Sequence, residues 1–134
     1  MQNTFSLSGK TILITGASSG IGKQTAIDLS LQGATLVITG RDESRLNDTL
    51  AQLSGENHRS LAANLLDFDN FPAFAESIPM LDGLVHSAGI TGHLPAKFIA
   101  SADIAETFNI NYMAPVLLTA AFLRKKKIAP KASI

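Results

Sequence analysis

The chain has 134 residues, of which 46% are hydrophobic and 16% charged, a composition typical of a globular domain that can bury a core. Eleven Lys and Arg side chains balance eleven Asp and Glu side chains, so no net charge favours nucleic acid or an anionic membrane. The sequence has no cysteine, and its three histidines lack metal-ligand spacing, which excludes disulfides, a thiolate nucleophile and a Cys-based metal site.

The sequence shows no targeting or membrane-spanning pattern. Residues 1–10 have neither the charged nor the apolar region of a signal peptide. The longest nearly apolar stretch, 113–123, has eleven residues and is too short to cross a bilayer. We therefore expect a cytoplasmic protein.

Short β-rich runs alternate with helical patterns along the chain. Strands are predicted at 10–15, 34–39, 59–64 and 81–89, and helices at 21–32, from Asp42 to Ser54–Gly55, after Asp67 or Asp69, and at 102–127. Asp42 is a suitable cap for the second helix, which carries Leu46, Leu50 and Leu53. Asp69 is preferred over Asp67 as the next cap because Pro72 then falls in the first turn.

This alternation predicts an α/β fold, with a doubly wound parallel sheet between two layers of helices. Residues 90–100 are predicted to form a loop, and 131–134 to begin a further strand. We expect residues 1–134 to be one domain or part of one.

A glycine-rich turn, TGASSGIG, lies between the first strand and the first helix. Gly16 would permit a tight turn, Gly20 the close approach of a pyrophosphate to the helix N-terminus, and Gly22 close packing of helix and strand. The spacing G-x-x-x-G-x-G differs from the G-x-G-x-x-G dinucleotide fingerprint. An ordinary strand–helix loop with a capping serine is the alternative interpretation.

The last predicted helix contains a proline. Pro115 has no N–H, so it cannot bond to the carbonyl of Asn111 four residues earlier. We expect the helix to kink there and leave that carbonyl free. An Asn111 that only caps or faces solvent is the alternative.

Three segments together resemble the short-chain dehydrogenase/reductase family, and the resemblance covers essentially the whole chain. TGASSGIG (15–22) is similar to its T-G-x-x-x-G-I-G cofactor motif, HSAG (86–89) to its N-N-A-G, and NINYMAP (109–115) to its N-V-x-x-x-G region. The resemblance implies a Rossmann fold and an oxidoreductase that moves hydride between a nicotinamide cofactor and a small ketone or secondary alcohol, such as a 3-oxoacyl thioester.

The resemblance also implies roles for individual residues. Asn64 and Leu65 would flank the adenine, and Asn111 would be catalytic, its main-chain carbonyl holding a water in a proton relay. The other expected cofactor-binding residues are Gly16, Ser18, Ser19, Gly20, Ile21, Gly22, Arg41, Ser87, Ala88 and Gly89.

The cofactor is expected to be NADP, with NAD less favoured. Members of the family that prefer NAD carry an acidic residue near position 40, where this chain has Gly40 followed by Arg41. Arginine pairs well with a 2′-phosphate through its fork of donors. Asp42 is better explained as a helix cap than as a ribose ligand. The alternative for Arg41 is that it is only a solvated surface charge.

The family's chemistry also needs a serine at the end of the fifth strand and a Tyr-x-x-x-Lys pair. The chain has one tyrosine, Tyr112, and the residue four positions later is Val116. Ser133 is expected at the start of its strand, far from the ligand-binding end. We therefore expect the N-terminal, cofactor-binding part of a single Rossmann domain, truncated at its C-terminus and inactive alone.

Such a chain would expose apolar surface on 114–123 and is expected to self-associate or form a homo-oligomer. A non-catalytic NADP-binding or interaction module is the main alternative function. A sugar-nucleotide epimerase is less favoured, because its usual G-x-x-G-x-x-G spacing differs.

Overall fold

The computed structural model describes residues 4–134. Its strands are β1 (Thr11–Thr15), β2 (Thr35–Gly40), β3 (Arg59–Ala62), β4 (Leu81–His86) and β5 (Ile128–Ser133). Its α-helices are α1 (Gly20–Leu31), α2 (Glu43–Leu50), α3 (Phe71–Ser77), α4 (Ser101–Phe108) and α5 (Ala114–Arg124). Short 3₁₀ turns lie at Phe68–Asn70 and Ala96–Phe98, and a π-helical turn, Asn109–Met113, joins α4 to α5.

The five strands form one parallel sheet in the order β3-β2-β1-β4-β5. The direction of strand progression reverses between β1 and β4, which are direct neighbours with Thr15 opposite His86. In open α/β sheets, a crevice for ligands forms outside the carboxyl ends of the strands at such a reversal. The predicted α/β, doubly wound parallel sheet is confirmed.

Both faces of the sheet are buried, which explains why β1 and β2 are continuous apolar runs. Leu13 and Val37 point into a core completed by α3 and α5, where Phe74 and Phe122 pack edge to face with centroids 6.3 Å apart. Ile12, Ile14, Leu36 and Ile38 point to the opposite face, where they join Ala26 of α1 and Leu46 of α2. The alternation of side chains along each strand thus produces the three layers.

The second helix begins as predicted but ends earlier. Asp42 is its N-cap, with Oδ1 accepting a hydrogen bond from the Arg45 N–H at 3.0 Å. The helix ends at Leu50 and not at Ser54–Gly55, because Leu53 N–H donates to Leu50 O in a following turn. Leu53 still packs against the core as a partly buried side chain.

The prediction that Asp69 caps the third helix is wrong. Asp69 lies inside the 3₁₀ turn, and α3 begins at Phe71 with Asn70 at the N-cap position. Phe68 and Phe71 pack edge to face with centroids 5.6 Å apart, which holds this turn against the core. Pro72 does lie in the first turn of α3, as predicted.

The long helix predicted at 102–127 is interrupted, as the position of Pro115 implied. The interruption takes the form of the π-helical turn, in which the Ala114 N–H donates to Asn109 O five residues back. Pro115 follows at the start of α5 and cannot donate to either Asn111 or Ile110. A π turn inside a helix is a common feature of functional sites.

The C-terminal end of α5 differs from prediction. The helix stops at Arg124 because Lys126 takes a left-handed conformation (φ 55°) and Lys127 N–H closes back onto Phe122 O at 2.9 Å. This is a Schellman-type helix end. β5 therefore begins at Ile128, three residues before the predicted strand start at Lys131.

The prediction that Ser133 starts its strand is also wrong, since it is the last residue of β5. Its register partner is Gly83, three residues before His86 at the carboxyl end of β4, with an irregularity in the pairing. The early start of β5 and this shifted register place Ser133 short of the ligand-binding edge.

Within residues 4–134, no helix has the length and hydrophobicity needed to cross a bilayer. The cytoplasmic location stays a prediction from the sequence.

Candidate functional site

A cleft of about 850 Å³ opens at the carboxyl ends of β1 and β4. Of the residues expected at a cofactor site, those that line it are Gly16, Ser18, Ser19, Gly20, Ile21, Gly22, Arg41, Leu65, Ser87, Ala88 and Gly89. Asn64 and Asn111 do not line it. Its wall also includes residues that were not selected from the sequence, namely Asp42, Arg45, Ile90 and Ile110.

The first and third glycines of the turn are required by backbone contacts. Gly16 has φ 66°, and a Cβ on it would lie 2.6 Å from Ala88 Cα. A Cβ on Gly22 would collide with the carbonyl oxygen of Gly16. No side chain fits at either position, so the turn, the first helical turn of α1 and the chain after β4 are in direct backbone contact.

Gly20 has a different environment. Its φ is 55°, and a Cβ there would meet no atom within 4 Å. Within residues 4–134, the N–H groups of Gly20, Ile21 and Gly22 have no protein acceptor. The first turn of α1 carries no acidic residue, so the positive end of the helix dipole faces the cleft uncompensated.

The alternative of a loop with a capping serine is not supported. Ser19 occupies the N-cap position of α1, but its side chain makes no cap hydrogen bond. The helix N-terminus therefore has free donors and open space in front of it, the arrangement that binds phosphate groups. The backbone here fits a dinucleotide pyrophosphate.

The buried Thr15, which sequence reasoning did not select, links the two central strands. Its Oγ1 accepts hydrogen bonds from the N–H groups of Ser87 at 3.1 Å and Ala88 at 3.2 Å. Its position as the last residue of β1, inside the quoted glycine motif, was the available signal. The contact holds the segment after β4 against the glycine turn.

Asn111 fixes the other end of that segment through its side chain. Its Oδ1 accepts from the Ile90 N–H at 2.8 Å, and its Nδ2 donates to Ile90 O at 2.7 Å. Gly89 permits this approach, since a Cβ on it would lie 3.3 Å from Asn111 Oδ1. Asn111 lies in a second cavity of about 520 Å³, which adjoins the first at Ile90.

His86 is a structural residue in this arrangement. Its Nε2 is 2.8 Å from Thr119 Oγ1 of α5, and burial lowers the pKa of its imidazole. The lowered pKa favours the neutral ring at neutral pH. His86 does not line the glycine cleft.

The far end of the cleft is positively charged. Gly40 leaves this wall without a side chain, and a Cβ there would lie 3.3 Å from Ser18 Oγ. Arg41 is exposed, and its side chain has no partner among residues 4–134. Both oxygens of the Asp42 carboxylate are already used, since Oδ1 caps α2 and Oδ2 lies 3.5 Å from Arg45 Nε.

Asn64, expected near the adenine, turns away from the cleft. It is exposed, and its Oδ1 accepts a hydrogen bond from the Leu66 N–H at 3.0 Å, which stabilises the turn after β3. Leu65 is buried and does reach the cleft wall. Among residues 4–134, no cluster of three or more His, Asp or Glu side chains is placed to hold a metal ion.

A parallel sheet of this strand order, with a glycine turn against an unpartnered helix N-terminus, defines a Rossmann-like α/β protein with a dinucleotide-binding type of cleft. The model of the short chain dehydrogenase family matches residues 10–134. The chain belongs to the short chain dehydrogenase family, whose members are oxidoreductases that bind NAD(P).

Individual relatives agree with this assignment. YciK, an uncharacterized oxidoreductase of Escherichia coli K12, is 31% identical over 127 residues, covering 87% of this chain and 50% of that protein. The 3-oxoacyl-acyl-carrier-protein reductase FabG of Rickettsia felis is 34% identical over 119 residues, covering 89% and 49%. The chain thus spans about half the length of these relatives.

Solved structures show the same fold. A short chain dehydrogenase/reductase family protein superposes with a TM-score of 0.82 at 34% identity, over 89% of this chain and 50% of that chain. A protein described as a short chain dehydrogenase of E. coli CFT073, complexed with NADPH, gives 0.83 at 28% identity, over 91% and 55%.

The contact between Gly22 and Gly16 can be tested by substitution. Gly22→Ala should lower the free energy of unfolding by about 3 kcal/mol, because the added methyl forces the Gly16 carbonyl out of place. Urea denaturation measures the change. Gly92→Ala is the control, since a Cβ there meets no atom within 4 Å, and it should change stability by less than about 0.5 kcal/mol. Equal stability of the two variants would contradict the proposed packing.

Proposed function

We propose that the complete protein is an NADP-dependent oxidoreductase that moves hydride between the nicotinamide and a ketone or secondary alcohol. The observation that carries the proposal is the cleft itself. One end has three unpartnered N–H groups at the α1 N-terminus, and the other has Arg41 beside a wall without a side chain at Gly40. The first end suits a pyrophosphate and the second a further phosphate.

The preference for NADP over NAD rests on the groups around Gly40. An acidic side chain that would bind two ribose hydroxyls is absent at this position, and the carboxylate of Asp42 is engaged by α2 and Arg45. Arg41 lies in the cleft wall, and its donors have no partner in the described part of the chain, residues 4–134. The E. coli CFT073 relative complexed with NADPH supports the same choice.

A ketone substrate is supported by the relatives and by the chemistry that the cofactor supplies, which is hydride transfer. The Rickettsia felis relative is a 3-oxoacyl-acyl-carrier-protein reductase, so a 3-oxoacyl thioester or similar ketone is our proposed substrate class. Residues 1–134 contain no Tyr-x-x-x-Lys pair that could transfer the proton. We therefore propose that these residues alone bind the cofactor without turning over a substrate.

Calorimetry with the 134-residue chain tests the cofactor proposal. NADPH should bind about a hundredfold more tightly than NADH, and Arg41→Ala should reduce that ratio by about tenfold, because a charged hydrogen bond to the 2′-phosphate is lost. The same samples should not oxidise NADPH when a 3-oxoacyl thioester is added. Tighter binding of NADH by the unsubstituted chain would overturn the preference, and measurable turnover would overturn the proposed inactivity.

For Asn111 we propose two functions, one for each part of the residue. Its side chain holds the Ile90 backbone, and its main-chain carbonyl holds a water in the proton relay of the complete enzyme. The support is Pro115, which has no N–H to donate to that carbonyl. In this proposal the Asn111 side chain positions the loop after β4, and its carbonyl offers one acceptor next to that loop.

A crystal structure of the complete protein should show an ordered water on the Asn111 carbonyl. Pro115→Ala restores an N–H that can bond to this carbonyl, so the variant should lose the water and much of the activity while keeping the fold. Pro130→Ala, an exposed position in β5, is the matched control and should keep both. A backbone N–H already bonded to the Asn111 carbonyl in the unsubstituted protein would contradict the relay.

The proposed assembly is a homo-oligomer. Five large apolar side chains are exposed along one stretch of α4, the π turn and α5, namely Ile104, Phe108, Tyr112, Val116 and Leu123. Phe108 and Tyr112 stack on each other with centroids 4.9 Å apart. Burying this apolar surface against a second copy would remove it from water.

Light scattering of the 134-residue chain should therefore show dimers or larger species. Val116→Glu should shift the distribution towards monomer, because a carboxylate would be buried in the contact. Ile21→Glu, at an exposed apolar residue outside this surface, is the control and should leave the mass unchanged. A monodisperse monomer of the unsubstituted chain would refute self-association.

A further inference from the structure

Arg45 lies in the same cleft wall as Arg41. It is outside the three segments, TGASSGIG, HSAG and NINYMAP, on which the family resemblance rests. It is in the first turn of α2, three residues after the N-cap Asp42. The first turn of α2 therefore places the Arg45 side chain beside the loop that carries Arg41. Two arginines thus border the end of the cleft where Gly40 leaves space.

Asp42 makes two contacts with Arg45, and these contacts determine which N–H donors of the Arg45 guanidinium are free. The carboxylate accepts from the Arg45 backbone N–H through Oδ1 at 3.0 Å and pairs with Arg45 Nε through Oδ2 at 3.5 Å. A guanidinium has five N–H donors, and the four on its two Nη atoms are not used by this contact. Among residues 4–134, these Nη groups have no other partner.

The charge in this wall is suited to a dianion. Arg41 and Arg45 contribute two positive charges, and Asp42 is the only acidic residue that lines the described cleft. A phosphate monoester carries close to two negative charges at neutral pH. Because Asp42 carries one negative charge, Arg41 alone would leave this wall neutral, and Arg45 makes its net charge positive. The two arginines together also offer two sets of forked donors.

We propose that Arg45 is a second specificity-determining residue, which binds the 2′-phosphate of NADP together with Arg41. This inference rests on the NADP preference proposed above and adds a residue to it. Asp42 pairs with Nε of Arg45, which leaves both Nη groups of the guanidinium available to a ligand. Because both side chains are exposed, the ion pair between Asp42 and Arg45 is weak and competes little with a bound phosphate.

Arg45→Met tests the proposal because it keeps the aliphatic stem and the backbone N–H that Asp42 caps. In calorimetry, NADPH and 2′,5′-ADP should bind about tenfold more weakly, whereas NADH and 5′-AMP should change by less than about twofold. Arg45→Lys should recover part of the NADPH affinity, because a point charge replaces the fork. Arg124→Met, at the end of α5, is the matched control and should change none of the four affinities.

Salt dependence gives a second measurement. The difference between NADPH and NADH affinity should fall less steeply with ionic strength in Arg45→Met than in the unsubstituted chain, since one charge pair is missing. Inorganic phosphate should bind far more weakly than 2′,5′-ADP, because the nucleoside provides the remaining contacts. Phosphate binding as tight as that of 2′,5′-ADP would show a general anion site and overturn the proposal.

The results separate the two proposals. If the unsubstituted chain binds NADPH no better than NADH, the NADP preference fails and the role of Arg45 fails with it. If NADPH is preferred and Arg45→Met keeps the same ratio, the preference stands and the role of Arg45 is refuted. An equal loss of NADPH and NADH binding would also refute it, because that result indicates damage to the cleft. Thermal melts should confirm that each variant is folded.

Discussion

Direct backbone packing around Gly16 is the constraint on which the site depends. The turn after β1 touches the first turn of α1 at Gly22 and the segment after β4 at Ala88, with no room for a side chain at either contact. Thr15 adds two hydrogen bonds to the same segment. As a result, the α1 N-terminus and the loop after β4 occupy fixed positions on either side of the cleft. The N–H groups of the first turn of α1, which have no acceptor among residues 4–134, face the space between them.

The same segment after β4 is held at its other end by Asn111. The two hydrogen bonds to Ile90 use both the oxygen and the nitrogen of the carboxamide, so the side chain serves to position the loop. The π turn places Asn111 where its side chain reaches Ile90, and Pro115 has no N–H to donate to the Asn111 carbonyl. The irregular helix geometry and the position of the loop after β4 are therefore linked through Asn111.

Charge is distributed unequally along the cleft. The end of the cleft at α1 presents neutral backbone N–H groups and the helix dipole, which require no side-chain entropy. The opposite end relies on long, exposed arginines whose attraction is screened by salt. This division agrees with a cofactor whose pyrophosphate is common to NAD and NADP and whose distinguishing group is one phosphate. The family assignment, which rests on residues 10–134, is consistent with that division.

The sequence by itself determined the element types, the α/β class, the glycine turn and the break at Pro115, because these depend on local periodicity, on missing side chains and on a missing N–H. Only the folded structure decided the ends of the elements and the contacts of individual side chains. A 3₁₀ turn at Phe68–Asn70 delays the start of α3, and a left-handed Lys126 ends α5 before an early β5. The Asn64 side chain accepts a hydrogen bond from Leu66 in its own turn and does not line the cleft. The first turn of α2 places Arg45 beside Arg41 in the cleft wall. The contacts that shape the site are long-range, because Thr15 bonds to the segment after β4 and Asn111 bonds to Ile90 only when separate segments pack at one edge of the sheet.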